Sequence, residues 1–269
     1  MVLTNFQLAV CRLIAQRRVR GGESYVAGGA ALGALTGSPR ISRDLDLFHD
    51  SSQAVAASWD ADRVILVADG CEVRTLRERP GFVEAEVSRT GERVVLQWAA
   101  DSAFRFFPLV EHPDFGLVLH PFDLATNKVL ALVGRVEARD WVDTIHCHDR
   151  IQPLGYLAWA ACGKDPGFSP TGILEEASRT ARYTHEEVRA LDFDGPAPDA
   201  AELSRRWHAM LDEARRIVAV LPAESAGACV LGADGAVYRG DPRALAVAVA
   251  AGTLRFHQGS IRGALPRIV

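Results

Sequence analysis

The chain has 269 residues, 48% of them hydrophobic and 24% charged, with a formal net charge of −4 and a mean hydropathy of +0.04. This is the profile of an ordinary globular protein, large enough for one sizeable domain or a domain with a smaller partner, and its charge does not advertise a nucleic-acid binder. No run of about 18 apolar residues predicts a membrane span, and five scattered cysteines without a CxxC pair make neither a disulfide framework nor a zinc ribbon.

From the N-terminus, Asn5 to Arg18 reads as an amphipathic helix with Phe6, Val10, Leu13 and Ile14 at helical spacing, stopped by Gly21-Gly22. The stretch Met1 to Gln16 lacks the pattern of a secretory signal, so the cytoplasm is the expected location. Next, Tyr25-Val26-Ala27 reads as a strand, Gly28-Gly29 as a tight turn, and Ala30 to Leu35 as a helix. The segment Arg40 to Phe48 ends in alternation, with Asp44 and Asp46 on one side and Leu45 and Leu47 on the other. A helix over Ser51 to Ala68 precedes three strands, Glu72–Glu78, Phe82–Ser88 and Arg93–Ala99, with Thr90-Gly91 as the last hairpin turn. Asp123 is the expected N-cap of a helix through Lys128, with Gly134 as its break and a second helix over Glu137 to His148. Beyond Arg150 the chain reads as mainly helical. Starts are marked at Ser169-Pro170, at the capping box Thr184-x-x-Glu187 and at Asp199, which opens a helix to about Leu221. A small hairpin at Asp234-Gly235 and a helix from Asp241-Pro242 to Gly252 end it. The expected organisation is a domain over 1–150 and a mainly helical region over 151–269.

Chemistry concentrates in Gly28-Gly29 and Asp44-x-Asp46. A glycine pair between strand and helix lets the backbone approach a triphosphate, and the helix N-terminus offers it N–H groups. Aspartates two apart on a strand project from one face and can share divalent cations, of which Mg²⁺ suits such oxygen ligands and keeps sites for phosphate and water. Two such metals can activate a hydroxyl and stabilise a leaving pyrophosphate. Either motif alone is commonly a turn or a solvated strand face; their combination, with Arg40 and Ser42 just upstream of the acids, is more specific. A second signal is compositional. Of the 30 basic residues 28 are Arg, and the two lysines are Lys128 and Lys164. A G+C-rich coding sequence accounts for the bias, but Lys and Arg are not physically interchangeable, which singles out Lys128.

Tyr25-Val-Ala-Gly28-Gly29-Ala-Ala-Leu, followed by Arg40-x-Ser42-x-Asp44-x-Asp46-Leu-Phe, resembles the minimal nucleotidyltransferase core. Asp123-Leu-Ala-Thr-Asn-Lys128-Val-Leu-Ala-Leu, then Arg135-Val-Glu-Ala-Arg139-Asp140-Trp-Val-Asp143, narrows the likeness to the AbiEii/AbiGii toxin-type nucleotidyltransferases. The resemblance implies an α/β fold, a mixed sheet flanked by helices, and transfer of a nucleoside monophosphate from an NTP to a hydroxyl. It implies Mg²⁺ on Asp44 and Asp46, and the triphosphate against Gly28 and Gly29 with Arg40 and Ser42 nearby. Lys128 would neutralise phosphate charge beside Arg135. Asp140 would either accept the hydroxyl proton or orient Lys128 and Arg135, with Asp143 as the alternative acid. Implied partners are tRNA or another RNA as acceptor and a separate antitoxin protein.

The sequence departs from the family pattern in three places. The spacing from Gly29 to Asp44 is long, Ala30 stands where relatives often carry Ser or Thr, and Gln97 occupies the strand position expected for a third carboxylate, with Asp101, Glu84 and Glu86 nearby. Two other readings follow: a transferase that modifies a small antibiotic, and a nucleotide-binding protein with weak or no turnover. His146-Cys147-His148 is not expected to hold metal, because helical residues two apart diverge. Arg105-x-x-Pro108 and His120-Pro121 read as packing or loop residues. Arg74, Arg77 and Arg79 would form an RNA-backbone patch only if they share the face of the aspartates; a solvated strand edge is the alternative.

Overall fold

A computed structural model describes residues 3–42, 44–180 and 183–266, with Thr180 described by its backbone alone. The chain forms two compact units, Met1–Ala103 with Pro108–His120, and Phe104–Phe107 with Pro121–Val269. Both helices expected between Asp123 and His148 group with the second unit.

In the first unit, α1 (Asn5–Gly21) opens with a capping box the periodicity does not reveal: Thr4 accepts the Gln7 N–H and the Gln7 side chain accepts the Thr4 N–H. It closes at Gly22, in the left-handed region at φ 70°. β1 (Ser24–Ala27), α2 (Gly28–Thr36), β2 (Asp44–His49) and α3 (Ser52–Ala68) follow, then β3 (Glu72–Arg79), β4 (Phe82–Arg89) and β5 (Glu92–Ala100). β6 (Phe104–Arg105) belongs to the second unit, and β7 (Val110–His112) and β8 (Gly116–Val118) complete the first. Seven strands make one sheet in the order β3-β4-β5-β2-β1-β8-β7, with β2 parallel to β5 and antiparallel to β1. The β4–β5 hairpin turns at Thr90-Gly91, both at positive φ as a two-residue turn of this hand requires.

Alternation decides the faces. Leu45 and Leu47 of β2, Leu96 and Trp98 of β5, and Ala85 and Val87 of β4 are buried, whereas Asp44, Asp46, Gln97, Glu84 and Glu86 stand on the other, half-buried face. α1 and α3 pack on β5 and on each other, and the Trp59 ring of α3 meets Trp98 edge-on at 4.8 Å. The expected α/β architecture, a mixed sheet flanked by helices with a helical C-terminal region, is the one found.

The second unit holds α4 (Pro121–Arg135), α5 (Ala138–Arg150), α6 (Leu154–Ala161), α7 (Pro170–Thr180), α8 (His185–Arg189), α9 (Ala200–Val220) and α10 (Pro242–Ala250). Short strands β9 (Cys229–Leu231) and β10 (Arg255–His257) pair with each other, and β11 (Ser260–Ile261) pairs with β6. Its core joins Tyr156 and Trp159 of α6 to Ile217 of α9, Leu221, Val230 and Leu245. Gly155 permits the α6–α9 approach, since a Cβ there would lie 2.9 Å from the Ala214 backbone. Around Asp234-Gly235 the expected hairpin is reduced to one bridge, Leu231 to Val237, because β9 takes β10 as its ladder partner.

Two expectations about the helices are corrected. Asp123 is not an N-cap. α4 begins at Pro121, and the buried Asp123 carboxylate accepts the N–H groups of Phe106 at 2.9 Å and Phe107 at 3.0 Å and pairs with Lys164 Nζ at 2.8 Å. The break does not occur at Gly134: α4 runs to Arg135, and Val136, at φ 54°, turns the chain into α5. No helix among the described residues is long and apolar enough to cross a membrane.

Removing one partner of a buried ion pair leaves the other charge uncompensated, at a cost of about 3–5 kcal/mol. Asp123→Ala also strands two backbone donors, so its urea unfolding midpoint is expected to fall by a corresponding amount, whereas Asp234→Ala on the exposed turn leaves it nearly unchanged.

Candidate active site

The antiparallel register sets Ala27 opposite Asp46, and the chain leaves β1 through Gly28 at φ 68°, a conformation suited to glycine. A Cβ built on Gly28 would stand 2.0 Å from Asp46 Oδ2. One built on Gly29 would stand 2.2 Å from Arg40 Nη2 and 3.1 Å from Ser42 Oγ. The glycine pair, Arg40, Ser42 and Asp46 are therefore one packed group at the start of α2. Ser42 Oγ bonds the Asp44 carbonyl at 3.1 Å, Arg40 donates to the Ile41 carbonyl at 3.2 Å, and Gln7 of α1 donates to the Ser42 carbonyl at 3.4 Å. Arg40 and Ser42 are buried, and so is Ala30. At the N-cap, Ala27 brings no side-chain acceptor to the first turn of α2.

Strand register extends the carboxylate face outward in rows. Asp46 lies beside Gln97 of β5, Gln97 opposite Glu84 of β4, and Glu84 opposite Arg77 of β3. A parallel row runs from Asp44 through Val95 and Glu86 to Arg74, and a third from Phe48 through Ala99 and Phe82 to Arg79. A register shift between Thr75 and Arg77 puts all three arginines on this face, where an unbroken alternation would divide them. Their contacts agree: Arg74 pairs with Glu86 at 2.9 Å, Arg77 with Glu84 at 3.6 Å, and the Arg79 guanidinium lies 5.0 Å from the Phe82 ring centre.

The position beside Asp46 that would carry a third acid is thus a neutral amide, its Nε2 held by Glu84 Oε1 at 3.0 Å. Asp101 bonds the Ser102 N–H and stands beyond the strand end. Among the described residues no group of three His, Cys, Asp or Glu side chains could hold a metal. Two carboxylates on one face beside a cradle that a Cβ would fill nevertheless fit Mg²⁺, which needs only one or two protein carboxylates when phosphate oxygens and water complete its shell.

In the second unit, Lys128 of α4 is buried between two acids of α5, its Nζ 3.1 Å from Asp140 Oδ1 and 2.8 Å from Asp143 Oδ2. Arg135 grips Asp140 with both arms of its guanidinium, Nε to Oδ2 at 2.7 Å and Nη2 to Oδ1 at 3.0 Å. The Thr144 hydroxyl donates to the Asp140 carbonyl at 2.7 Å. Burial alone would raise the Asp140 pKa. Hydrogen bonds from Arg135 and the Lys128 charge outweigh it and hold the carboxyl below the ordinary range. Arg139 pairs instead with Glu137 at 2.6 Å, because the break at Val136 removes the single face that an unbroken helix would give to Lys128, Arg135 and Arg139. His148 accepts the Leu154 N–H at 3.0 Å and Cys147 is fully buried.

No protein-family profile and no curated protein sequence matches the chain significantly. Solved structures do. The fold is that of the nucleotidyltransferases, as the AbiEii/AbiGii resemblance led one to expect. MenT4, a nucleotidyltransferase toxin of Mycobacterium tuberculosis, aligns at a TM-score of 0.53 and 16% identity over 81% of this chain and 85% of its own. JHP933 of Helicobacter pylori aligns at 0.53 and 15% identity over 81% and 95%. A further H. pylori protein, described as a candidate nucleotidyltransferase, aligns at 0.50 and 15% identity over 81% and 98%.

Because its pKa is depressed on folding, Asp140 contributes stability that is present above the ordinary carboxylate pKa of about 3.9 and lost as pH falls towards the folded value. Below about pH 4, the Asp140→Asn variant is expected to show a flatter fall of stability with pH than the unmodified protein, read from urea titrations at each pH.

Proposed function

We propose that this protein is a Mg²⁺-dependent nucleotidyltransferase that moves a nucleoside monophosphate from an NTP to a hydroxyl, and that it acts as the toxin of a toxin–antitoxin pair on tRNA or another RNA in the cytoplasm. The observation that carries the reading is the close approach of Gly28 to the Asp46 carboxylate, which supports a backbone cradle for phosphate beside an acid that would bind metal. Asp44 and Asp46 would hold the metal, whose charge, when bound, favours attack at the α-phosphorus and departure of pyrophosphate. Gly28, Gly29, Arg40 and Ser42 would seat the triphosphate. The role the resemblance assigns to Lys128 and Arg135 is to offset phosphate charge. For Asp140 the geometry supports positioning of Lys128, since its carboxyl, held below its ordinary pKa, is a poor proton acceptor, and Asp143 joins it through its own contact with Lys128. Arg74, Arg77 and Arg79 on the carboxylate face support a polyanionic acceptor over a cationic antibiotic. MenT4's description as a toxin supports the toxin role.

A second reading, nucleotide binding with little transfer, is favoured by Gln97 in the place of a third acid. Incubation with each labelled NTP, Mg²⁺ and total tRNA separates the two. Label is expected in RNA, reduced by about a hundredfold or more in Asp44→Ala and Asp46→Ala and abolished by a chelator. Tight NTP binding with no transfer to any acceptor selects the second reading. Gly28→Ala should fold but lose NTP affinity, as its methyl group displaces the Asp46 carboxylate.

A further inference from the structure

The sheet face opposite the aspartates carries a second polar site. Alternation along β2 turns His49 away from Asp44 and Asp46, towards α1 and α3. There a cavity of about 120 Å³ is lined by Arg17 and Arg18 of α1, Ser24 of β1, His49 of β2, and Ser58 and Asp62 of α3. Arg18 is 2% exposed, yet all three of its guanidinium nitrogens lack a hydrogen-bond partner among the described residues, where its ionic neighbour is Asp62, at 3.8 Å. The Ser24 hydroxyl, also buried, is likewise unsatisfied.

The imbalance has a sign. Asp62, the buried carboxylate of the cavity, is already engaged by Trp98 Nε1 at 2.9 Å, the Ser58 hydroxyl at 3.4 Å and Arg17 at 3.3 Å. Arg17 is further engaged by the carbonyls of Ala57 and Ser58. Burial, reinforced by the Arg18 charge, lowers the His49 pKa to about 4 against the opposing pull of the Ala99 and Leu47 carbonyls, so the imidazole is neutral at physiological pH and adds no charge to the cavity. What remains over is five guanidinium N–H groups and a hydroxyl, with cationic charge exceeding that of Asp62; the acidic Glu23 lines the rim and is exposed to solvent. Burying a guanidinium without partners is costly, so a species must supply acceptors. Water brings as many donors as acceptors. An oxyanion brings acceptors and compensating charge together.

We infer that the cavity between α1, α3 and the Ser24–His49 end of the β1–β2 ladder is a binding site for a small inorganic oxyanion of the phosphate type, seated on the Arg18 guanidinium with the Ser24 hydroxyl as a further donor. The site is distinct from the Gly28-Gly29 cradle and does not depend on the nucleotidyl-transfer reading.

Calorimetric titration with inorganic phosphate, without Mg²⁺ or nucleotide, tests this. Saturable binding is expected, with a matching rise in melting temperature over chloride at equal ionic strength. Arg18→Lys, which keeps the charge but loses the fork, should weaken it about tenfold or more. Ser24→Ala should weaken it severalfold, and because it removes one hydroxyl it keeps the test available should the Arg18 variant fail to fold. Ser42→Ala, in the cradle, should leave this binding unchanged. Absence of saturable binding at millimolar phosphate would overturn the inference, as would binding that survives Ser24→Ala unaltered or is lost in Ser42→Ala.

Discussion

The molecule's candidate chemistry depends on a steric fact at the β1–β2 ladder. Ala27 stands opposite Asp46, so the residue that follows Ala27 must pass immediately beside a carboxylate oxygen, and a side chain there would overlap it. Glycine answers this twice: Gly28 supplies the positive φ that swings the strand into α2, and Gly29 leaves room for Arg40 and Ser42. The long segment between α2 and β2 then returns with its own side chains filling the floor of the cradle, tied by Gln7 to α1. Turn, helix start and acid are a single arrangement, which gives the two separately unremarkable sequence motifs their joint specificity.

The Lys128 cluster works by a different economy. Two carboxylates and a lysine are held almost out of water, and Arg135, half-exposed, spans both oxygens of Asp140 from the solvent side. Desolvation and ion pairing oppose each other, and pairing prevails at Asp140 because three donor contacts converge on it. Such an assembly fixes a long side chain in one place. A lysine within an arginine-dominated chain suits it, since a compact ammonium fits between two acids where a planar fork would not. Lys164 shows the structural version of the same device: with Asp123 it pins the β6 segment to the start of α4.

Periodicity made most of the fold legible. β2 alternates as its residues predict, the three strands after α3 fall within a residue or two of their expected bounds, and the α3, α8, α9 and α10 caps are the residues whose side chains advertise them. What escaped was set by tertiary partners. Asp123 looks like a cap from its neighbours, but its ligands come from 16 and 17 residues upstream. Val136 takes a conformation that local preference would give to Gly134. At the site, the glycine pair and the alternating aspartates are legible in the sequence, and strand register puts Gln97 of β5 beside Asp46. The alignment of Arg74, Arg77 and Arg79 was not legible there, because it turns on a slip of one residue in strand pairing that composition does not encode. The buried Arg18 was invisible too: in sequence it is one of a cluster at the end of an amphipathic helix, and its burial follows from how α1 meets α3.

That slip in β3 has a consequence for solubility. β3 borders the sheet, with eight residues mostly open to solvent and one ladder partner, so its outer backbone groups offer a template to any passing extended chain. The irregularity at Leu76 interrupts the even spacing a visitor would need to match, and bulky guanidiniums flank it on one side. Two copies meeting flank to flank along β3 would confront misaligned donors, which disfavours their stacking into fibres at this border.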